Sequence, residues 1–493
     1  MPWTGQTGDM SAVNVAAVRT MPRTAEAIGL AVGPSGPVPR QLGLNRAALE
    51  AHGFTGKVGS TLVLPNGGGA TLVAVGIGDT STAATLRDAA AAFTRAAGKR
   101  AHIATNLAAT GGVDAGTAAR AVTEGVLLAD YRYVGQKSDR SSVSKLESLS
   151  LVVAQSDERA ATRGIAQGVV NADAANFARE LANTPANLLT ARAIAAQAVE
   201  LAGSRGLAAE VFDEEQLEAM GCGGMLGVNA GSVEPPRMVK LTYTPRNPKA
   251  HVTLVGKGVM YDSGGLSLKP TNPMSVIMKM DMSGAAAVLA AMCALKGAGC
   301  KNKVTAFLMC TDNMPSGSAL KLGDVLTFRN GKTAEIHNTD AEGRLILADG
   351  LALAAEEQPD AIVDIATLTG AALAALGPDM AAVIGSNADV VGQVEASAAA
   401  ADEPVWELPL AADKYRKLLD SVVADMKNVG GPYAGATTAA IFLSEFVGDV
   451  PWAHIDIAGP MNVDGDSGWK SKGATGFGTR LLIDFATNFT PVG

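Results

Sequence analysis

The sequence predicts an α/β protein with two domains. Its 493 residues are too many for one ordinary hydrophobic core. Hydrophobic residues make up 47% of the chain and charged residues 18%, which indicates a globular protein rather than a disordered one. Short apolar runs alternate with alanine-rich stretches of helical periodicity, and this alternation is typical of α/β folds.

The first domain, a small α/β domain, is predicted over residues 1–160. The predicted strands are 25–32, 61–64, 72–77 and 149–153, and the predicted helices are 85–97 and 116–131. A long helix from about residue 157 to 182 follows and is assigned to a linker, 161–184. Asn183-Thr184-Pro185 ends it, because the residue before a proline disfavours helical backbone.

The second domain, residues 185–493, is predicted to be the catalytic one. The predicted strands are 252–255, 304–309, 361–365 and 453–457. Polar residues or glycines follow each of them, and ligands of open α/β sheets bind beyond the carboxyl ends of the strands. Functional residues are therefore expected in these loops.

Charge and targeting signals narrow the function further. The net charge of −8 and the pI of about 5.3 disfavour nonspecific binding to nucleic acid. The N-terminus has no apolar leader-like run, and the longest apolar stretch, 285–295, is too short to span a bilayer. The four cysteines have no CxxC spacing, and Cys293 and Cys310 are predicted to be buried thiols. A cytoplasmic protein is expected.

Four carboxylates in the second domain point to metal chemistry. Asp262, Asp281, Asp340 and Glu342 all lie in glycine-rich or helix-entry sequence. If they converge, they repel one another unless cations lie between them, and a pair of divalent metals is the natural neutraliser. Each piece alone has a simpler interpretation: DSGG as a surface turn, Asp340 and Glu342 as a helix cap and a first-turn acid, Lys257 as a solvated cation.

The order of the motifs resolves these alternatives. NTDAEGRL at 338–345 resembles the signature octapeptide of the cytosolic leucine aminopeptidases, the M17 peptidase family, and the resemblance covers roughly residues 175–493. The other motifs follow the family's order: VGKG (255–258), DSGG (262–265), SLKP (267–270), MKMDMSGAA (278–286), ATLTGA (366–371), AGATTAA (434–440), WAHIDIAG (452–459) and GATGFGTRLL (473–482).

The resemblance implies a larger C-terminal α/β/α sandwich whose mixed sheet carries a two-metal site. By position in the motifs, one tightly bound metal is held by Lys257, Asp262, Asp281 and Glu342, and an exchangeable metal by Asp262, Asp340 and Glu342. Zn²⁺ or Mn²⁺ is implied, with Mg²⁺ or Co²⁺ as alternatives. A lysine ligates a metal only when neutral, so a bound cation must lower the pKa of Lys257.

The same resemblance assigns the remaining roles. Lys269 polarises the scissile carbonyl, and Arg344 holds a bicarbonate that acts as general base toward a metal-bridging water or hydroxide. The substrate-binding positions are Met278, Thr367, Leu368 and Gly370. For Met278 and Leu368, plain core packing is the alternative. The implied activity is removal of the N-terminal residue, leucine-like by preference, from peptides, and the implied assembly is a homohexamer.

The sequence differs from the family's common pattern in one spacing, and two other functions remain as alternatives to the aminopeptidase. The spacing from Lys269 to Asp281 is one residue longer than the family's common spacing, which could shift Lys269 relative to the metals. A DNA-binding accessory role, known for some bacterial family members, and another two-metal hydrolase such as a phosphoesterase are the alternatives. No histidine lies within the metal motifs, and His337 and His454 are predicted to be structural.

Overall fold

The structure is a computed structural model that describes residues 13–492, and these form two compact units. The N-terminal unit comprises residues 13–176 with Val463–Gly473, and the C-terminal unit comprises Phe177–Asn462 with Ala474 onward. Residues 1–12, on which the expectation about a leader partly rests, lie outside the described residues. The domain boundaries at 160 and 184 remain a prediction.

The N-terminal unit contains one six-stranded sheet and its helices. The strands are β1 (Asn14–Val18), β2 (Ala27–Val32), β3 (Thr61–Leu64), β4 (Thr71–Gly76), β5 (His102–Thr105) and β6 (Ser148–Val152). The helices are α1 (Arg46–Ala51), α2 (Ala83–Ala97), α3 (Ala115–Asp130) and the start of α4 (Glu158–Asn183), with 3₁₀ turns at Arg40–Leu42 and Leu107–Ala109.

This sheet is mostly parallel. Its order is β1-β6-β5-β2-β4-β3, and only β3 pairs antiparallel to its neighbour. Helices α2 and α3 pack against each other over a core of strand and helix side chains. The predicted strands and helices are confirmed, whereas β1 and β5 were not predicted because each is a run of four or five residues diluted by alanine.

The C-terminal unit is built on a second, larger sheet. The strands of this part of the chain are β7 (Ala208–Phe212), β8 (Arg237–Tyr243), β9 (His251–Asp262), β10 (Lys303–Asn313), β11 (Val325–Thr327), β12 (Thr333–Glu335), β13 (Ala361–Ala366), β14 (Ala381–Gly385), β15 (Val405–Glu407), β16 (Met426–Lys427), β17 (Trp452–Asp456), β18 (Asn462–Val463) and β19 (Gly473–Ala474). Eight of them form the large sheet, whereas β11, β12 and β16 form a separate three-stranded sheet and β18 pairs with β19.

Its helices alternate with these strands. They are α5 (Ala191–Arg205), α6 (Glu214–Ala219), α7 (Gly223–Asn229), α8 (Pro273–Ile277), α9 (Ser283–Ala298), α10 (Gly343–Glu356), α11 (Gly370–Leu376), α12 (Ala388–Ala401), α13 (Ala412–Tyr415), α14 (Gly435–Ser444) and α15 (Thr479–Asn488), with 3₁₀ turns at Met278–Met280 and Arg416–Leu419.

The main sheet is mixed, as predicted. Its order is β15-β14-β17-β13-β9-β10-β8-β7, and the four central strands β17, β13, β9 and β10 run parallel. Helices α9, α12 and α15 pack together, and α10 packs with α7 and α14, so the strands lie between two helical layers. Because the central strands are parallel, their carboxyl ends lie at one edge of the sheet, where ligands are expected.

One helical stretch has the length and composition of a membrane span. It is Pro273–Ala298, and 72% of its most apolar window is buried inside the protein. Helix α9, which supplies most of it, packs on β9 and β10, so it is a core helix of the sandwich. Cys222, Cys293, Cys300 and Cys310 are all free thiols, with Cys310 buried as predicted and Cys293 only partly exposed.

Candidate metal centre and active site

Strand β9 brings two of the predicted metal ligands to the edge of the sheet. Lys257 lies within the strand and Asp262 is its last residue, and their exposed fractions are only 2% and 3%. Burial of charged side chains is costly unless each is paired or hydrogen-bonded. Two buried charged residues on one central strand therefore indicate a site in which charged groups have partners.

A glycine turn follows Asp262 directly. Gly264 and Gly265 adopt φ values of +87° and +63°, which side chains with a Cβ rarely tolerate. A Cβ on Gly264 would lie 2.6 Å from the Ser267 carbonyl oxygen and 3.0 Å from Asp340 Oδ1. The turn also lets the Gly264 amide donate to Asp262 Oδ1 at 2.8 Å. This close approach confirms the predicted tight turn beside the carboxylates.

The octapeptide loop between β12 and α10 brings in Asp340 and Glu342. Thr339 ties this loop to the glycine turn, since its Oγ1 donates to the Gly264 carbonyl at 2.7 Å and accepts from the Ser267 amide at 2.7 Å. Helix α10 begins at Gly343, immediately after Glu342. Carboxylates at a helix N-terminus are favoured by the helix dipole.

These elements converge on one cluster of charges. Carboxylate oxygens of Asp262, Asp340 and Glu342 all lie within 4.8 Å of one another. Lys257 Nζ lies 2.7 Å from Glu342 Oε1 and 2.9 Å from Asp281 Oδ2, so Asp281 joins the cluster through Lys257. The structure thus brings together all five residues predicted as metal ligands.

Lys269 completes the cluster from the other side. Its Nζ lies 2.8 Å from Asp262 Oδ2 and also contacts Asp340 Oδ1. Its amide donates to the Ser263 carbonyl at 2.9 Å, which anchors the start of the 269–281 segment. The longer spacing to Asp281 therefore does not carry Lys269 away from the carboxylates.

The electrostatics follow from burial and like charge. Burial raises the pKa of Asp281 well above its ordinary value, and nearby Asp262 and Glu342 add to that rise against the pull of Lys257. Burial and Asp262 likewise raise the pKa of Glu342 and of Asp340. Burial opposes the ammonium form of Lys257, but the surrounding carboxylates outweigh it and hold the Lys257 pKa above its ordinary value.

This arrangement fits divalent cations. Four carboxylates face only two lysines, which leaves an excess of negative charge in a buried site. Asp281 Oδ2, Asp340 Oδ1 and Glu342 Oε1 are buried without a hydrogen bond of acceptable geometry. Oxygen-rich ligand sets suit Mg²⁺, Mn²⁺ and Zn²⁺. The residues present could therefore hold metal ions.

Arg344 presents a buried donor beside the cluster. Its Nη1 donates to the Asn428 carbonyl at 2.8 Å, while its Nε is buried without a partner. Burial lowers the pKa of Arg344 to about 10, against the opposing effects of Glu342 and Asp456. A guanidinium with an unused N–H is suited to bind a small anion.

The predicted substrate-binding residues lie on two segments near Asp281. Thr367 is tied to the cluster directly: its Oγ1 donates to Asp281 Oδ1 at 2.7 Å and its carbonyl accepts from Lys257 Nζ at 2.9 Å. Met278 is buried in the turn before Asp281, and Leu368 packs against the main core. Gly370 is exposed at the start of α11.

Three further residues at the site were not predicted. Asn313 ends β10, and its Nδ2 donates to Asp262 Oδ1 at 2.8 Å and to the Thr339 carbonyl at 3.0 Å. Asp456 ends β17, and it accepts from the Thr369 hydroxyl at 2.6 Å and the Leu368 amide at 3.1 Å. Asn428 receives the Arg344 bond. In the sequence, only their position at or near the ends of strands indicates that these three residues belong to the site.

The two histidines noted in the sequence have structural surroundings. His337 lies two residues after β12, and its Nε2 is 3.1 Å from Glu335 Oε1. His454 is buried on β17, with Nδ1 2.6 Å from Asp364 Oδ1. Each histidine is therefore paired with a carboxylate outside the five-residue cluster, although the Nε2 of His454 is buried without a hydrogen-bond partner.

Comparison with known protein families gives two matches along the chain. Residues 176–483 match the catalytic domain of the cytosol aminopeptidase family, and residues 42–140 match the N-terminal domain of the same family.

Individual relatives agree with these matches. A probable cytosol aminopeptidase of Desulforapulum autotrophicum is 42% identical over 468 residues, covering 90% of each chain. One from Leifsonia xyli is 42% identical over 458 residues, again covering 90% of each chain.

Solved structures are similar over nearly the whole chain. The bottromycin maturation enzyme BotP in complex with Mn superposes with a TM-score of 0.85 at 40% identity, covering 94% of this chain and 99% of that one. A mutant of tomato leucine aminopeptidase gives a TM-score of 0.89 at 31% identity, covering 97% of each chain.

Proposed function

Because this chain belongs to the cytosol aminopeptidase family, we propose that it is a metal-dependent aminopeptidase whose metals are held by the five clustered side chains. It hydrolyses the bond after the N-terminal residue of a peptide. The observation that carries the proposal is the cluster of three carboxylates within 4.8 Å, bracketed by two lysines. A buried excess of negative charge of this kind needs cations to balance it.

Each ligand has its own place in the proposal. Lys257, Asp262, Asp281 and Glu342 would hold one cation, while Asp262, Asp340 and Glu342 would hold the other, so that Asp262 and Glu342 serve both. Divalent cations in such a site supply Lewis acidity toward water and the scissile carbonyl. Asn313 positions Asp262 for this role by donating to its Oδ1 at 2.8 Å.

Lys269 is the proposed electrophilic side chain. Burial opposes its charged form, but Asp262 and Asp340 hold its pKa above the ordinary value, so it stays protonated at neutral pH. A fixed ammonium group in a partly buried site stabilises negative charge that develops on a carbonyl oxygen. Its anchored backbone keeps that ammonium beside the carboxylates.

Arg344 is the proposed holder of a bicarbonate ion. Its unpartnered Nε and its buried position support anion binding. A bicarbonate there would supply a proton acceptor, which the described side chains next to the carboxylates otherwise do not offer. Asn428 fixes the guanidinium by accepting from Nη1.

The substrate proposal rests on Asp281, Thr367 and the residues beside them. The α-amino group of the peptide would bind next to Asp281, whose Oδ1 is oriented by Thr367. Met278, Leu368 and Gly370 would then face the first side chain, and the two apolar residues favour a leucine-like one. Asp456 shapes this loop by holding the amide of Leu368 and the hydroxyl of Thr369.

Several finer features belong to the same proposal. Mn²⁺ or Zn²⁺ is the proposed metal, and the similar enzyme BotP is described in complex with Mn. A cytoplasmic location follows the naming of the relatives as cytosol aminopeptidases. We also propose a homohexamer, and a division of the chain into residues 1–160, 161–184 and 185–493.

A comparison of substrates with and without chelator tests this function. The purified chain should hydrolyse leucine amide, lose that activity in excess chelator and leave phosphate esters intact. Turnover of a phosphate ester but not of leucine amide would favour another two-metal hydrolase. Leucine amide turnover that is indifferent to chelation would overturn the metal-dependent mechanism.

A further inference from the structure

The N-terminal unit contains a cavity that the aminopeptidase reaction does not use. Its volume is about 560 Å³, within the ~300–1,000 Å³ range of small-molecule sites. Three loops form it, and each follows a parallel strand: Gly33 to Pro39 after β2, Ile77 to Ser81 after β4, and Asn106 to Gly112 after β5. The cavity therefore lies at the carboxyl edge of this sheet.

The chain changes direction at this point of the sheet. From β2 it passes through β3 to β4 on one side, and it then crosses through α2 to β5 on the other side of β2. In open α/β sheets, such a switch in strand order leaves a crevice between loops that lead away from each other. The position alone makes this cavity a candidate binding site.

The loops are held together by close backbone approach and by one side chain, that of Asn106. A Cβ on Gly112 would lie 2.7 Å from the Ser81 carbonyl oxygen, and Gly112 has a φ of +86°. Asn106 links the other two strands, because its Oδ1 accepts from the Ala31 amide at 2.9 Å. The walls of the cavity therefore present backbone groups directly to whatever enters.

Hydrogen-bond donors outnumber charges in this cavity. The amides of Asp79, Thr80 and Ser81 have no acceptor among the described residues, and neither does the Asn106 Nδ2. Ser81 lies next to Thr82, the N-cap residue of α2, a helix of 15 residues with no acid in its first turn, so this loop lies at the positive end of the helix dipole. No lysine or arginine is among the described lining residues.

The other walls have a different chemistry. Val38 and Ile77, with Pro37 and Pro39, give an apolar surface on which a flat ring can pack. Asp79 is exposed at the rim, and its carboxylate can accept hydrogen bonds from hydroxyl groups. One ligand that uses all three walls carries a phosphate, a sugar and a flat base.

We propose that this cavity binds a nucleoside phosphate. The phosphate lies against the 79–81 amides, which precede the N-cap of α2. The ribose hydroxyls bind Asp79, and the base packs on Val38 and Ile77. This site is independent of the metal centre, which lies in the other unit and is built of carboxylates that repel phosphate unless metal is present.

Calorimetric titration of the full-length protein with ADP tests the proposal. The chain is used in excess chelator, so that metals at the carboxylate cluster contribute no phosphate binding. Adenosine and inorganic phosphate serve as partial ligands. The two variants are Ser81→Glu, which places a carboxylate where the phosphate binds, and Asp79→Ala. Ser138→Glu, a change of the same kind on an exposed loop outside the cavity, is the matched control.

The expected result is saturable binding of ADP and at least tenfold weaker binding of adenosine and of phosphate. Ser81→Glu should lower the ADP affinity at least tenfold, Asp79→Ala should lower it severalfold, and Ser138→Glu should leave it unchanged. No saturable binding at millimolar ADP would overturn the proposal, as would binding that Ser81→Glu leaves intact. Thermal unfolding of each variant identifies one that has lost its fold, and the remaining variant then decides.

Discussion

In both units the loops at the carboxyl ends of parallel strands form a site, but the residues in these loops differ between the two units. In the C-terminal unit, the ends of β9, β10 and β17 carry Asp262, Asn313 and Asp456, and the octapeptide loop adds more acids. In the N-terminal unit, the corresponding loops carry glycines, hydroxyls and bare amides around a cavity. The sheet sets the position of the site in both units, and the residues at the strand ends determine which ligands the site can bind.

The difference also concerns where charge is buried. The N-terminal unit buries the ion pair of Arg87 and Glu124 between helices, away from its cavity. The C-terminal unit buries Lys257, Asp262, Asp281 and Glu342 at its functional edge. We expect the buried Arg87–Glu124 pair to stabilise structure and the buried charges at the C-terminal edge to bind ligands, and the following variants separate these two roles.

The largest effect is expected from Glu342→Ala. Glu342 is one of the two carboxylates that both cations would share, and its loss also leaves Lys257 with one buried partner fewer. We expect the kcat for leucine amide to fall by at least about 1,000-fold, the scale of losing one main electrostatic contact in a transition state. Steady-state kinetics at saturating Mn²⁺ measure it.

Glu356→Ala is the matched control for that variant. Glu356 is the last residue of the same helix, α10, and it pairs with Arg329 at the surface. Its loss should leave kcat within about twofold, since exposed ion pairs contribute little. Equal losses of kcat in the two variants would mean that activity depends on the integrity of helix α10 and not on the Glu342 carboxylate.

Glu124→Ala should act on stability without acting on catalysis. Its Oε2 lies 2.8 Å from Arg87 Nη2 and its Oε1 accepts from Asn171 Nδ2 at 2.8 Å, so removal takes a carboxylate partner from a buried guanidinium. We expect the N-terminal unit to lose about 3–5 kcal/mol of unfolding free energy. Denaturant unfolding measures the loss, and kcat and KM for leucine amide should stay at their wild-type values under native conditions.

An exposed pair in the same unit provides the comparison. Arg19 and Glu158 lie 2.9 Å apart, but their side chains are 57% and 37% exposed. Glu158→Ala should cost less than about 1 kcal/mol. A cost as large as that of Glu124→Ala would contradict the assignment of the stability to burial.

Asn313→Ala tests a positioning residue that the motifs do not contain. Without the 2.8 Å bond to its Oδ1, Asp262 loses a fixed orientation. We expect metal affinity to fall about 10–100-fold, with kcat recovering at high Mn²⁺ concentration. Asn330→Ala, which removes a surface bond to the Glu445 carbonyl, should change neither. A kcat that stays low at saturating metal would instead indicate a direct role in the reaction.

Asp349→Asn is expected to change only the pH dependence of stability. Burial raises the pKa of Asp349 from 3.8 to about 7, although the amides of Arg329 and Met225 donate to it. The folded protein therefore binds this proton more tightly than the unfolded chain, and stability is lost as the pH rises from about 4 to 7. Over one pH unit the loss is at most about 1.4 kcal/mol.

The measurement for Asp349 is a difference between two proteins. The unfolding free energy of the wild type minus that of Asp349→Asn should fall between about pH 5 and pH 7. A difference that is flat across this range, or that rises, would show that Asp349 is ionised in the folded state.

Sequence reasoning reached the five clustered residues because they lie in contiguous motifs. Asp262 belongs to DSGG, and Asp340 and Glu342 belong to NTDAEGRL, so neighbours along the chain reveal them. The four central strands were also located from apolar runs followed by polar residues, whereas their order and parallel pairing come from the structure. Lys269 remained near the carboxylates despite its longer spacing, since its position is set by the Ser263 carbonyl and not by the length of the following segment.

What sequence reasoning missed depends on contacts between distant segments. Asn313 and Asp262 are 51 residues apart, and Leu368 and Asp456 are 88 apart, so no local pattern joins them. β5 is too short for its periodicity to be read. The cavity of the N-terminal unit arises from three such loops together, and each loop alone resembles an ordinary turn.

Metal titration tests the central claim most directly. The chain would be freed of metal with chelator, dialysed and titrated with Mn²⁺ while leucine amide hydrolysis and bound metal are both measured. The predicted result is no activity in the metal-free protein and full recovery only as about two ions bind per chain. Full activity without metal, or a plateau of activity at one bound ion per chain, would contradict a two-metal aminopeptidase built on Lys257, Asp262, Asp281, Asp340 and Glu342.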